Sequence, residues 1–370
     1  MQVTAQAAVV ERLNGRFEVQ EVAFDRPIAR EVLVEVRAAG LCHSDLNVAG
    51  IDRGRSLPLI AGHELAGVVV EVGPEVRGLR VGDHVIGTEV RACGTCARCA
   101  SGRPTLCEIP DSLERDPRER PRVTRGGDAV HTLGVSAFAG VSLADERQFV
   151  AVPAELPFPQ ASLLACGITT GLGAVDNVAR VQEGETVAVF GLGGVGLSIV
   201  IGAVLAGART VIAIDIDPAK LELARRLGAT HVVTAADGET TERMRAVAGS
   251  GVDHTFDAVG IPEVTISAIA STARGGTCYL IGIPKPGPAL AIDTMRDLIG
   301  AQRGIRGVYM GGTVPCRDLP RYASLALEGR LPLDLLISER IGIAEINRAY
   351  AEPANGGARA VITDFSAPES

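Results

Sequence analysis

Four cysteines within a short segment have the spacing of a metal-binding cluster. They are Cys93, Cys96, Cys99 and Cys107. Small or polar residues separate them, so the chain can fold back and direct four thiolates at one tetrahedral ion, for which Zn²⁺ is well suited. Four thiolates leave no open coordination position, so this ion would stabilise the fold and take no part in catalysis. The alternative is a pair of disulfides, but nothing else in the sequence indicates an oxidising compartment.

A second set of potential ligands is spread more widely. Cys42 lies close before Asp45, His63 directly precedes Glu64, and Cys166 lies further along the chain. Two cysteines and a histidine make the three-ligand set of a catalytic zinc with an open fourth position, and the two acids are suited to orient such ligands. Each ligand alone is more often an ordinary core residue. Together, and beside the cysteine cluster, they predict a catalytic metal centre.

A glycine-rich turn after a β-branched segment predicts a dinucleotide site. The motif comprises Gly191, Gly193, Gly194, Val195 and Gly196. Such glycines permit a tight turn, admit a pyrophosphate to the backbone and let helix and strand pack closely, and the following helix offers free N–H groups. Asp215, at the end of the next predicted strand, can accept ribose hydroxyls and would repel a 2′-phosphate. This favours NAD over NADP. The alternative interpretation is that Asp215 is a helix N-cap.

The elements that must position these motifs are of two kinds. The first 150 residues contain alternating segments such as 31–37 and 67–73, which predict antiparallel strands. From about residue 170, predicted strands alternate with helices, as in a doubly wound parallel sheet. The uncharged run 186–208 has the length of a membrane span, but its glycines favour a strand, a turn and a helix. The arginine-rich segment 108–127 is interpreted as a solvated loop, with a substrate-facing lid as the alternative.

Composition narrows the class of protein. A chain of 370 residues suggests two domains. The net charge of −8 argues against nucleic acid as a partner, and 3% aromatic residues with no tryptophan argue against a base-stacking surface. Eight cysteines without a recognisable signal peptide favour a reducing cytoplasm. We therefore expect a cytoplasmic protein that contacts neither nucleic acid nor membrane.

The motifs together resemble the zinc-dependent medium-chain alcohol dehydrogenases over essentially the whole chain. The matching segments are 40–45, 62–64, the cysteine cluster, 166–171, the glycine turn and Arg359. The resemblance implies an α/β protein with a mostly β, GroES-like catalytic domain from residues 1–167 and 312–370. Residues 168–311 would form the NAD-binding Rossmann domain. It also implies two zinc ions per chain, NAD as cofactor, and a homo-oligomer, either a dimer or a tetramer.

The resemblance further implies roles for individual side chains. Cys42, His63 and Cys166 would hold the catalytic zinc, and Ser44 would take the proton of the alcohol. His43 and Arg359 match positions that contact the cofactor pyrophosphate, and Lys220 matches one that contacts the adenosine ribose.

Three positions depart from the pattern of the family. Asn47 stands where a histidine often ends the proton relay. Glu89 stands where an aromatic residue often lines the substrate pocket, and is either a surface acid or a wall that favours polar or cationic groups. The segment 52–57 contains Arg53 and Arg55 where members that oxidise thiol adducts of formaldehyde usually carry acids, which argues against that specialised activity.

The predicted function is zinc-dependent oxidation of a small-molecule alcohol to an aldehyde or ketone, or the reverse, with NAD. One alternative is a thiol-adduct formaldehyde dehydrogenase that uses glutathione or mycothiol. Another is an enzyme that keeps its NAD bound through turnover. A non-catalytic redox-sensing or structural homologue is the third, and the intact ligand set with Ser44 argues against it.

Overall fold

The computed structural model describes residues 2–52, 54–113, 119–235, 240–285, 287, 289–354 and 358–367. The chain forms two compact units. One comprises Met1–Cys166 and Val314–Ser370, and the other comprises Gly167–Thr313.

Both units contain strands and helices. In chain order, the strands are β1 (Val3–Val10), β2 (Phe17–Phe24), β3 (Glu31–Gly40), β4 (Leu59–Ile60), β5 (Glu64–Val72), β6 (His84–Gly87), β7 (Val123–Arg125), β8 (Asp128–Ala129), β9 (His131–Thr132), β10 (Val141–Asp145), β11 (Phe149–Ala151), β12 (Thr186–Phe190), β13 (Thr210–Asp215), β14 (His231–Thr234), β15 (Val252–Asp257), β16 (Thr272–Leu280), β17 (Gly304–Gly307), β18 (Ile337–Gly342) and β19 (Arg359–Asp364). The helices are α1 (His43–Gly50), α2 (Ala97–Ala100), α3 (Phe158–Leu163), α4 (Gly167–Gly173), α5 (Gly194–Leu205), α6 (Pro218–Arg226), α7 (Thr240–Ala248), α8 (Pro262–Ser271), α9 (Pro315–Leu327) and α10 (Ile346–Ala351).

The first unit is mostly β. One sheet has the order β8-β7-β2-β1-β4-β9, and the other has the order β11-β6-β5-β3-β19-β18, with β10 also paired to β3. The valines of β3 at positions 32, 34 and 36 lie in one core cluster, as their alternation predicts, whereas Leu33 is buried in a second core cluster. The C-terminal strand β19 joins β3 antiparallel, with Val361 opposite Gly40. This pairing brings the end of the chain beside the segment that follows β3.

The second unit is a doubly wound parallel sheet. Its strand order is β14-β13-β12-β15-β16-β17, and every pairing along it is parallel. The α/β fold class, with a parallel sheet in one unit and a mostly β structure in the other, is therefore confirmed. The strand β16 begins at Thr272, directly after α8.

The uncharged run 186–208 forms β12 and α5, joined by the glycine turn, and most of its side chains are buried. Among the described residues, no helix has both the length and the apolar character needed to cross a membrane.

Candidate active site

The four-cysteine cluster forms one compact group. The Sγ atoms of Cys93, Cys96, Cys99 and Cys107 all lie within 4.8 Å of one another, and each cysteine is a free thiol. Cys96 is the N-cap of α2, and its sulfur accepts the backbone N–H of Cys99 at 3.4 Å. The arrangement has the donor chemistry of a closed tetrahedral zinc site, and four free thiols argue against the disulfide alternative.

Hydrogen bonds from backbone amides lower the pKa of one thiol in this cluster. The sulfur of Cys93 accepts the N–H groups of Cys96 at 3.2 Å and of Thr95 at 3.3 Å. These hydrogen bonds lower the pKa of the Cys93 thiol to about 6. By contrast, burial raises the pKa of the Cys99 thiol to about 12.

A second group of donors lies at the ends of β3 and β5. These strands pair with Gly40 opposite Glu64, so Cys42, just beyond β3, comes close to His63, just before β5. One ligand atom from each of Cys42, His63, Glu64 and Cys166 lies within 4.8 Å of the others. A hydrogen bond from the Cys166 thiol lowers the pKa of the Cys42 thiol. Two sulfurs and an imidazole thus converge as a zinc ion requires.

The carboxylate of Asp45 orients the imidazole of His63. Its Nδ1 lies 2.9 Å from Oδ1 of Asp45, and both side chains are buried. A carboxylate on this side favours a proton on Nδ1 and leaves Nε2 free to bind a metal. The Ser44 hydroxyl lies 3.4 Å from Nε2 of His63 and donates to Sγ of Cys42 at 3.1 Å, so it sits at the metal-facing side of the group.

Glu64 and Arg359 form a buried ion pair next to the ligands. The Arg359 Nε lies 3.2 Å from Oε1 of Glu64, and its Nη2 donates to Sγ of Cys42 at 3.4 Å. Burial raises the pKa of Glu64 to about 7, against the opposing effect of Arg359. Arg359 thus supports the metal-binding side chains, and its contact with the cofactor pyrophosphate stays a prediction.

Glu89 approaches the same histidine. Its Oε2 lies 3.6 Å from Nδ1 of His63, and burial raises the pKa of the Glu89 carboxyl. The arginines of the loop that the structure describes do not neutralise it. They pair instead with acids of the first sheet: Arg120 with Asp25, Arg122 with Glu31 and Arg125 with Glu11. Arg115 and Arg118 lie outside the described residues, as does Arg53.

Sequence reasoning missed Tyr350. Its hydroxyl lies 3.0 Å from the backbone oxygen of Cys42 and 3.2 Å from Oδ2 of Asp45. A tyrosine in a short helix near the end of a chain carries no signal that it will reach a ligand loop far away in sequence.

The glycine turn in the second unit has the predicted geometry. Gly191 has φ +86°, and a Cβ at Gly196 would lie 1.8 Å from the oxygen of Gly191, so helix and strand can approach only because Gly196 has no side chain. Gly193 is exposed, with open space around its Cα. Since no side chain caps α5, the N–H groups of Gly194, Val195 and Gly196 are available to an anion.

Other predicted cofactor contacts lie on separate elements. Asp215 ends β13, and Lys220 lies in the first turn of α6, which Asp217 caps by accepting the N–H of Ala219 at 2.8 Å. His43 is exposed at the start of α1. The roles of these residues stay predictions.

Comparison with known proteins gives two family matches. Residues 28–154 match the alcohol dehydrogenase GroES-like domain, and residues 194–327 match the zinc-binding dehydrogenase domain. The S-(hydroxymethyl)glutathione dehydrogenase of Synechocystis sp. is 35% identical over 354 residues, which cover 94% of this chain and 95% of that protein.

Two solved structures resemble the chain along nearly its whole length. The alcohol dehydrogenase zinc-binding domain protein from Burkholderia ambifaria has a TM-score of 0.93 at 36% identity, covering 98% of this chain and 99% of its own. The benzyl alcohol dehydrogenase from Acinetobacter calcoaceticus has a TM-score of 0.91 at 31% identity, with the same coverage of both chains.

Proposed function

This chain belongs to the zinc-dependent medium-chain alcohol dehydrogenase family, and we propose that it oxidises a small-molecule alcohol to an aldehyde or ketone, or catalyses the reverse, with NAD. The observation that carries the proposal is the convergence of Cys42, His63 and Cys166 with the Ser44 hydroxyl beside them. Such a set combines a metal site with a proton acceptor for a substrate hydroxyl.

The residues of the first unit would share the chemistry as follows. Cys42, His63 and Cys166 hold a zinc ion, which when bound supplies a Lewis acid that makes an alcohol hydroxyl more acidic. Ser44 accepts the hydroxyl proton and passes it outward. Asp45 keeps the proton of His63 on Nδ1, so that Nε2 remains a ligand. Because Asn47 cannot act as a base near neutral pH, water or the cofactor ribose completes the relay.

The second unit would hold the NAD. Free N–H groups at the start of α5 and the open space at Gly193 suit a pyrophosphate, while Asp215 suits unmodified ribose hydroxyls. His43 and Arg359 are proposed to contact the pyrophosphate, and Lys220 the adenosine ribose. We accordingly assign the NAD-binding role to the unit of residues 167–313 and catalysis to the unit formed by both chain ends.

The cysteine cluster at residues 93–107 would hold the second zinc as a structural ion. Its sulfurs already accept several backbone N–H groups, which is the arrangement that stabilises thiolates around a metal.

We further propose a cytoplasmic homo-oligomer. Among the described strands, β17 lies at an edge of its sheet, and the exposed apolar residues Ile299 and Tyr309 precede and follow it in the sequence. An unpaired edge beside apolar residues favours pairing with a second copy of the chain. Light scattering after gel filtration tests the proposal, and Ile299→Asp should shift the protein towards the monomer.

A substrate panel followed by the absorbance of reduced nicotinamide tests the activity. We expect turnover of alcohols with NAD that is lost in Cys42→Ala. The name of the Synechocystis relative supports thiol-adduct formaldehyde oxidation as the second candidate. Activity with formaldehyde that appears only when glutathione or mycothiol is added would favour it. Absence of turnover with every alcohol, carbonyl and thiol adduct tested would contradict both.

A further inference from the structure

The hydroxyl of Tyr350, in the C-terminal segment, contacts residues that hold or orient the ligands of the candidate metal centre. Tyr350 lies on α10, and its Oη is 3.2 Å from Oδ2 of Asp45 and 3.0 Å from the backbone oxygen of Cys42. Sequence separates Tyr350 from both residues by some three hundred positions. The contact therefore exists only in the folded unit.

Asp45 is the residue through which this hydroxyl would act. Its Oδ2 also accepts the backbone N–H of Cys42 at 3.2 Å, and its Oδ1 faces Nδ1 of His63 at 2.9 Å. The carboxylate thus bonds on one oxygen to the loop of Cys42 and on the other to His63. With its Oδ2 side held, the carboxylate cannot rotate freely, and the imidazole plane is fixed with it.

Aromatic packing determines where the hydroxyl lies. The ring of Tyr350 stacks on Phe17 at 5.7 Å, and Phe17 meets Phe138 edge-on at 5.7 Å. Asn347 fixes the backbone of Phe17 by accepting its N–H at 3.0 Å and donating to its oxygen at 2.8 Å. Phe138 in turn packs so closely on Gly62 that a Cβ there would lie 2.7 Å from its ring. The same stack therefore supports the residue that precedes His63.

We propose that Tyr350 is a positioning residue for the metal centre, whose one hydroxyl proton is shared between the Asp45 carboxylate, which orients His63, and the backbone oxygen of Cys42. This inference rests on the proposed metal site at Cys42, His63 and Cys166. It assigns a second task to the C-terminal segment, besides the approach of Arg359 to Cys42.

The Tyr350 hydroxyl is a donor to the buried Asp45 carboxylate. A phenylalanine would keep the stacking on Phe17 and remove one donor from a buried carboxylate. Removal of residues that orient metal ligands typically lowers metal affinity about 10- to 100-fold.

The test compares Tyr350→Phe with Tyr279→Phe. Tyr279 lies in the other unit, where its hydroxyl is 3.4 Å from Nδ1 of His254, so this control removes the same atom away from the metal. Zinc release is followed with a chromogenic chelator. In Tyr350→Phe one zinc should leave about tenfold faster than in the wild type, while the zinc of the four-cysteine cluster leaves at an unchanged rate. The visible spectrum of the cobalt-substituted protein should shift in Tyr350→Phe alone.

Thermal unfolding separates positioning from a merely structural role. The melting temperature of Tyr350→Phe should fall more in the zinc-loaded protein than after removal of the labile zinc, because the lost interaction acts through the metal. The inference would be overturned if the melting temperature of Tyr350→Phe fell equally with and without the labile zinc, or if the variant failed to fold in both states. Unchanged zinc release and an unchanged cobalt spectrum would also overturn it. A wild type with no exchangeable metal would instead refute the proposed centre itself, and this is seen before any variant is made.

Discussion

The carboxylate of Asp215 accepts the backbone N–H of Leu192 at 2.7 Å, which ties the end of β13 to the glycine turn. Its other oxygen accepts the N–H of Asp217 at 2.9 Å. Both bonds hold the carboxylate in place beside the motif proposed to bind the dinucleotide.

Cofactor preference should follow the charge of Asp215. The wild type should use NAD far better than NADP, and Asp215→Gly should erode or reverse the preference. Asp215→Asn keeps a hydrogen-bond acceptor for Leu192 and removes the charge. It should still lower the ratio of kcat/KM with NAD to kcat/KM with NADP at least about tenfold, because removing about 1.4 kcal/mol of repulsion changes such a ratio tenfold. Asp217→Asn, which retains the cap of α6, is the matched control. Equal efficiency of the wild type with both cofactors would contradict the assignment.

The two metal sites should respond differently to mutation. Elemental analysis should find two zinc ions per chain, one labile and one resistant. Alanine at Cys42, His63 or Cys166 should abolish turnover and leave the fold and NAD binding largely intact. Cys96→Ala should instead unfold its lobe, because binding of a structural zinc contributes directly to folding free energy. Fully active protein with one zinc or none would show that the sites are misassigned.

Acid should weaken zinc binding at the cysteine cluster more steeply below a pH of about 6. Only the thiolate binds zinc, and the pKa of Cys93 is lowered to about 6. Above that pH Cys93 is already a thiolate when zinc binds. Below it, zinc must also displace the proton of Cys93, so the affinity falls more steeply as the pH decreases. A chelator titration over a range of pH measures the slope. Thr95→Val removes a side-chain hydrogen bond to Cys93 and should move the break to higher pH.

Local patterns in the sequence were sufficient for the parallel sheet and the four-cysteine cluster, because the glycine turn and the cysteine spacing act within a few residues. Cys42, His63 and Cys166 are spread more widely, and their grouping was predicted from their residue types together with the other motifs. The contacts that orient the ligands were harder to foresee. The pairing of Glu64 with Arg359 spans 295 positions and depends on the register of β19 beside β3. The hydroxyl of Tyr350 depends on an aromatic stack that no periodicity encodes. Such contacts are products of tertiary packing, so the sequence suggested residue types there without their partners.

Proton transfer should depend on Ser44. Ser44→Ala should lower kcat about a hundredfold, because the substrate hydroxyl loses its immediate proton acceptor. Ser44→Thr keeps a hydroxyl and is the control. Asn47→His should raise turnover mainly at low pH, where a nearby base helps most. A Ser44→Ala enzyme with wild-type rates across the whole pH range would mean that the relay does not pass through this side chain.

Substrate preference should depend in part on Glu89. The Glu89 side chain is one-third exposed and lies 3.6 Å from Nδ1 of His63. The described arginines of the loop, Arg120, Arg122 and Arg125, pair with acids of the first sheet. We expect the Glu89 carboxylate to contact a polar or cationic group of the substrate. Glu89→Phe should therefore improve oxidation of simple apolar alcohols at the expense of the natural substrate.

Glu89→Gln is the matched variant, because it keeps the size of the side chain and removes only the charge. It should lower the preference for amino alcohols over neutral alcohols of the same shape, since an ammonium group loses its counter-charge. The measurement is kcat/KM across primary, aromatic and amino alcohols for the wild type and both variants. If all three proteins show the same relative rates, Glu89 does not contact the substrate, and its position 3.6 Å from Nδ1 of His63 serves the histidine alone.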